Sequence, residues 1–199
     1  MTSMPARPYH HGDLRVALLA QAEATLERTG VAGLSLRELA RDVGVSHGAP
    51  RRHFADKDAL LAALAEEGFE RLGSALAAAA ASGGAFADRL LATAHGYVGF
   101  ATSHPALLEL MFTAKHGPAA TPRLVEASQA TFESLLELMV DGQRAGEVAA
   151  GEPEQVGAAV FAAVHGIAAL ASAGMLDAAA VTATVDDAIW RLMLGLQPR

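Results

Sequence analysis

Between Ser35 and Leu60 the chain reads SLRELARDVGVSHGAPRRHFADKDAL, a run that leaves room for little except short helices around tight turns. Ser35 and Glu38 hold the spacing of a capping box, in which the hydroxyl accepts from an N3 amide and the carboxylate reaches back to the cap amide. Leu34 and Leu39 are placed as a hydrophobic staple across that start. Leu36, Leu39, Ala40 and Val43 recur at helical spacing and make one apolar face. Gly44 supplies the left-handed residue that stops a helix without a Cβ clash. Ser46 is a second cap and predicts a further helix to about Phe54. Two helices about a glycine turn make a helix-turn-helix, a unit that sets its second helix in the major groove of DNA.

The residues of that second helix suit such a groove. His47, Arg51, Arg52 and His53 can donate hydrogen bonds, while Gly48 and Ala49 leave room for close approach. The forked guanidinium of arginine fits guanine edges and phosphates. Lys57 follows Asp56, the expected cap of the next helix, where free amides also favour an anion. With Ser35, Ser46 and the first-turn Arg37, these residues form the predicted DNA-contacting set. Each feature alone recurs at many helices that never meet nucleic acid; order and spacing together carry the inference. Pro50 cuts against regularity. It lacks an N–H and biases Ala49 away from helical geometry, so the expected helix has a tight, stiff start.

Gly33-Leu34-Ser35-Leu36-Arg37-Glu38-Leu39-Ala40, Val43-Gly44-Val45-Ser46, Arg52-His53-Phe54 and Lys57-Asp58-Ala59-Leu60 together resemble the DNA-binding region of TetR (tetracycline-repressor-like) regulators. Upstream, Tyr9-His10-His11-Gly12-Asp13-Leu14-Arg15 resembles the start of a subgroup with a His-Gly signature in its ligand domain. His165-Gly166, His104-Pro105-Ala106-Leu107 and Met111-Phe112 resemble that subgroup too. The family's usual Tyr before the Arg-His-Phe run is Arg51 here, which exchanges an aromatic backbone contact for a phosphate-binding one. The resemblance implies a dimer whose two heads meet half-sites about 34 Å apart on a palindromic operator. It also implies control by a small molecule.

The net charge of −7 argues against nucleic acid until the chain is divided. Residues 1–60 hold eight Lys/Arg and seven Asp/Glu, a balance of +1, whereas residues 61–199 hold seven against fifteen, a balance of −8. An acidic body held off the duplex behind a neutral-to-basic head fits docking through the head. Hydrophobic residues at 52% exclude a disordered chain. Cysteine is absent, so disulfides, zinc fingers and thiol chemistry are excluded. The N-terminus does not read as a secretion signal and no apolar run has the flanks of a membrane span. A cytoplasmic protein without a membrane partner is expected.

The remainder reads as helix. Expected segments are Gly12 to Arg28, a long fourth helix from near Asp56 into the alanines before Ser82-Gly83-Gly84, then Phe86 to Ser103, Pro105 to Phe112, Pro122 to Arg144, Pro153 to Ala173 and Val181 to Leu196. Pro105, Pro122 and Pro153 stand where a first-turn proline belongs, and no stretch alternates with period two. The expectation is an all-α protein: a three-helix helix-turn-helix head over residues 1–58, joined by the long helix to a ligand-binding and dimerisation bundle over residues 59–199. Gly157, Ala158, Ala162, Gly166 and Ala169 form a small-residue stripe and Ile189, Leu192, Met193 and Leu196 an apolar one. The last two helices are therefore the expected homodimer surface, against the plainer reading of intramolecular core.

Phe100, Met111, Phe112, Phe132 and Phe161, with His95 and His165, are the candidate pocket residues, because small-molecule sites are mostly apolar with few polar anchors. Aromatics at helical spacing are more often plain core. His-Glu-x-x-His, a Gly-rich phosphate loop and a nucleophile elbow are all missing, so no catalysis, cofactor or metal is expected. Two functions remain open. One is a dimeric repressor released from its operator by a small apolar molecule; the other is an all-α carrier or interaction module whose basic head is incidental.

Overall fold

The computed structural model describes residues 11–196; Tyr9 and His10 of the amino-terminal arm lie outside the described residues. Helices follow in the order α1 (His11–Thr29), α2 (Leu36–Val43), α3 (Lys57–Ala80), α4 (Phe86–Ser103), α5 (Pro105–Ala114), α6 (Pro122–Arg144), α7 (Pro153–Ser172) and α8 (Ala178–Leu196). Single turns of 3-10 helix stand at Val31–Gly33 and Pro50–Arg52, and no strand occurs among the described residues. The all-α expectation holds, and so do most helix ends, because their signals are local. Proline opens α5, α6 and α7. Asp56 Oδ1 accepts from Ala59 N at 2.8 Å to cap α3. Gly44 closes α2 at φ 76°, with Val45 N donating to Ala40 O and Gly44 N to Arg41 O, the paired bonds of a Schellman turn.

Three local expectations fail. Ser35 has extended backbone but its side chain makes no cap bond. Glu38 lies 4.0 Å from Arg41 instead, because an exposed carboxylate finds its opposite charge one turn on. The helix expected from Ser46 to about Phe54 is a turn followed by one 3-10 turn. Ala49 N donates to Ser46 O at 2.9 Å, Arg52 N to Ala49 O at 3.2 Å and His53 N to Pro50 O at 2.9 Å. Pro50 has no N–H for the Ser46 carbonyl, so the bonding runs from i to i+3 until Phe54 N joins His53 N on Pro50 O at 2.9 Å. Ala49, expected to depart from helical geometry before a proline, is held between these bonds at φ −62°, ψ −43°.

The axis of the molecule is α3, which packs against α1, α4, α5 and α6 through a buried face that includes Leu60, Leu64, Phe69, Leu72 and Leu76. Burying one such side chain stabilises by about 1.5–3 kcal/mol. Helix α5 comes so close that a Cβ on Gly68 would lie 2.7 Å from Met111 Sδ. Thr131 of α6 donates from Oγ1 to Phe69 O at 2.9 Å, which ties α6 to the α3 backbone.

Two carboxylates one turn apart on α1 fasten the head to the body. Glu23 accepts from both terminal nitrogens of Arg71 at 2.8 and 2.9 Å and lies 3.0 Å from His104 Nδ1. The hydrogen bonds that Arg71 donates to Glu23 raise its pKa and hold the guanidinium charged. Glu27 accepts from Ala106 N at 3.1 Å and Leu107 N at 3.0 Å, in the first turn of α5, where unpaired amides favour an anion.

The last two helices mix core and surface. Gly157 and Ile189, both read as dimer-face residues, are buried within the chain. Gly166, Leu192, Met193 and Leu196 are half-buried, while Ala158, Ala162 and Ala169 are exposed. Trp190 is 58% exposed and Leu194 52%. By length and composition α7 could cross a membrane, although its flanks did not suggest a span, because Ala and Gly count as apolar while filling little space. Here it packs against α4, α6 and α8.

Candidate nucleic-acid interface and pocket

Ser46, His47, Gly48, Arg51 and Arg52 are exposed, whereas Ala49 and His53 are half-buried. Pro50 and Phe54 are buried and pin the turn at two points. The guanidinium of Arg15 stands 5.7 Å from the Phe54 ring centroid. Helix α2, which carries exposed Arg37 and begins after half-buried Ser35, packs against the Pro50–Arg52 turn. Among the described residues Arg37, Arg51 and Arg52 make no ion pair, while Arg41 is matched by Glu38 and Asp42. Uncommitted guanidiniums on a short exposed turn can grip phosphates or guanine edges. Lys57, predicted to point at a phosphate, donates from Nζ to Val31 O at 2.6 Å. The carbonyl that opens the first 3-10 turn has claimed that ammonium, and a phosphate would have to share it.

Phe112 of α5, Phe132 of α6 and Phe161 and His165 of α7 come together in the body. Ring centroids lie 4.8 Å apart for Phe132–Phe161, 6.2 Å for Phe112–Phe161 and 5.3 Å for Phe112–His165, distances at which aromatic pairs attract. Tyr97 of α4 meets Phe161 edge-on at 5.5 Å, and its Oη is 2.7 Å from His165 Nδ1. Burial raises the Tyr97 pKa, so the phenol keeps its proton beside Nδ1.

A cavity of about 380 Å³ opens beside this cluster, lined by Phe112, Phe132, Phe161 and Leu135 with Lys115 among them. Gln129, Glu133 and Glu154, all exposed, also border it. Four predicted pocket residues do not line it: His165 packs on Phe112 and Phe161 without bordering the cavity, and the other three stand elsewhere. Nε2 of His95 lies 2.7 Å from Asp186 Oδ1, joining α4 to α8. Phe100 packs on His104 at 5.0 Å and beneath Arg71 at 5.8 Å, beside the α1 clasp. Met111 is fully buried against Gly68, because successive helical positions point about 100° apart and Phe112 takes the cavity side. Lys115 was not among the residues expected from sequence, although it stands three residues after Phe112 and so on the same helical face.

Residues 90–196 match the model of the tetracyclin repressor-like C-terminal domain, and residues 18–64 that of bacterial regulatory proteins of the tetR family. A solved protein of unknown function from Rhodococcus sp. RHA1 is 47% identical, over 96% of this chain and 99% of its own, with a TM-score of 0.89. A tetR-family regulatory protein from Rhodococcus RHA1 shares the fold at 18% identity and a TM-score of 0.74, over 92% of this chain and 97% of its own. So does a TetR-family transcriptional regulator from Thermus thermophilus, at 18% identity and 0.70, over 87% and 97%. No curated protein matches the chain. A matched C-terminal domain spanning more than half the sequence, behind a matched head with an exposed basic turn, settles the kinship: the chain belongs to the TetR family of DNA-binding transcriptional regulators.

Proposed function

We propose that the chain is a homodimeric repressor whose heads, residues 1–58, leave a palindromic operator when a small, largely apolar molecule fills the body, residues 59–199. The observation that carries this reading is the attachment of α1 to α5. Glu27 holds the first-turn amides of the same helix whose Phe112 lines the cavity. At 10 residues α5 is short, a rod of about 15 Å, so a ligand that displaces one end displaces the amides holding the head. Linkage requires only that the ligand prefer the conformer whose heads are out of register.

The duplex is met by Arg37, His47, Gly48, Arg51 and Arg52, with Ser35, Ser46, Ala49 and His53 shaping the turn and Lys57 shared with Val31. The second protomer covers the exposed Ala158, Ala162, Ala169, Trp190 and Leu194 of α7 and α8, since an aromatic and aliphatic surface of this kind marks a partner face. A cytoplasmic regulator follows from its DNA partner. A mobility-shift titration against the DNA upstream of the chain's own gene tests the reading. Specific retardation, steeply reduced by salt and weakened in Arg52→Ala, is expected; retardation that ignores sequence or is unchanged in Arg52→Ala would return the carrier reading.

A further inference from the structure

Lys115 is the basic side chain bordering the 380 Å³ cavity, and its surroundings are unusual for an ammonium. Its Nζ stands 4.5 Å from the Phe112 ring centroid and 5.7 Å from that of Phe69. Among the described residues no carboxylate comes within 4.0 Å of it. The side chain is half-buried. Ring faces attract a cation, but they replace only part of its lost hydration.

We infer that the cavity takes an amphiphilic monoanion, a carboxylate carried on an aliphatic or aromatic body, with the carboxylate paired to Lys115 and the body laid against Phe132 and Phe161. The inference rests on the proposed ligand-responsive function and names the chemical class of its ligand. The volume lies within the range of about 300–1,000 Å³ typical of small-molecule sites. Burial lowers the Lys115 pKa, which marks the charged form as short of compensation that a bound anion would supply. A lipophilic cation is the competing class, since Glu133 and Glu154 border the cavity. Both are exposed, however, and water screens them, whereas a cation among the rings would lie beside the half-buried ammonium.

Isothermal titration of the full-length protein with decanoate, decanol and decyltrimethylammonium, below their micelle concentrations, decides among these heads on a common tail. Decanoate is expected to bind about tenfold or more tighter than decanol. Lys115→Met should reduce decanoate to the level of decanol without changing decanol itself, and Lys115→Arg should keep the preference. Equal binding of acid and alcohol, tighter binding of the cation, an unaffected Lys115→Met variant or no decanoate binding would each overturn the inference. An operator mobility shift with the same compounds separates the two readings. Lys115-dependent decanoate binding that leaves the operator complex intact upholds the anion site and sinks ligand-controlled release; release by decanol and decanoate alike does the reverse.

Discussion

The reading turn and the aromatic pocket hold their chemistry in opposite ways. From Ser46 to His53 the backbone is irregular, bonded from i to i+3, and its arginines are paired with nothing in the described chain. Around Phe161 the backbone is plain helix, and four other rings pack against its own. One region keeps its interaction capacity for a partner, while the other uses most of it in folding and leaves a single cation over. Stability should therefore be sensitive to the pocket and insensitive to the turn, and DNA affinity the other way round.

The largest test of that contrast is Phe161→Ala, which removes the ring common to the cluster and should lower stability by about 2–4 kcal/mol. Urea unfolding reads it, and operator affinity measured well below the unfolding midpoint should stay near that of the parent. Next, Arg52→Ala should weaken operator binding by about 1–3 kcal/mol, or roughly 5- to 150-fold. Its thermal midpoint should not move; a drop of several degrees would show that the turn is structural after all. Glu27→Gln sharpens the connection between the regions. Losing the charge at the α5 amides should cost about 1 kcal/mol in stability and reduce the effect of ligand on operator affinity. The smallest effect belongs to Pro50→Ala. Restoring an N–H should let the turn tighten toward α-helix, visible as a slight gain in helical circular dichroism, with stability changed by about 0.5 kcal/mol.

What the sequence revealed follows the range of the forces involved. Gly44 stops α2 and Pro105, Pro122 and Pro153 open their helices because each acts through its own backbone. Pro50 was legible in direction but not in extent, since a missing N–H disturbs a helix only as far as neighbouring bonds fail to compensate. Ser35 and Glu38 had the right spacing, yet Arg41 offered Glu38 another partner. The α1 clasp was invisible, for Glu23 meets Arg71 across 48 positions and Glu27 meets Leu107 across 80. Residue type alone singled out Phe112, Phe132 and Phe161, which line the cavity, and equally His165, which does not, and His95, whose partner Asp186 lies 91 positions away.

Pro50 and Phe54 have a consequence beyond shape. They anchor the turn from inside, so the outward positions His47, Gly48, Arg51 and Arg52 are not committed to the scaffold, and a Cβ at Gly48 would find nothing within 4 Å. Mutation there carries little folding penalty. A lineage built on this frame can drift from one operator to another by exchanging a handful of side chains, leaving the rest of the architecture untouched.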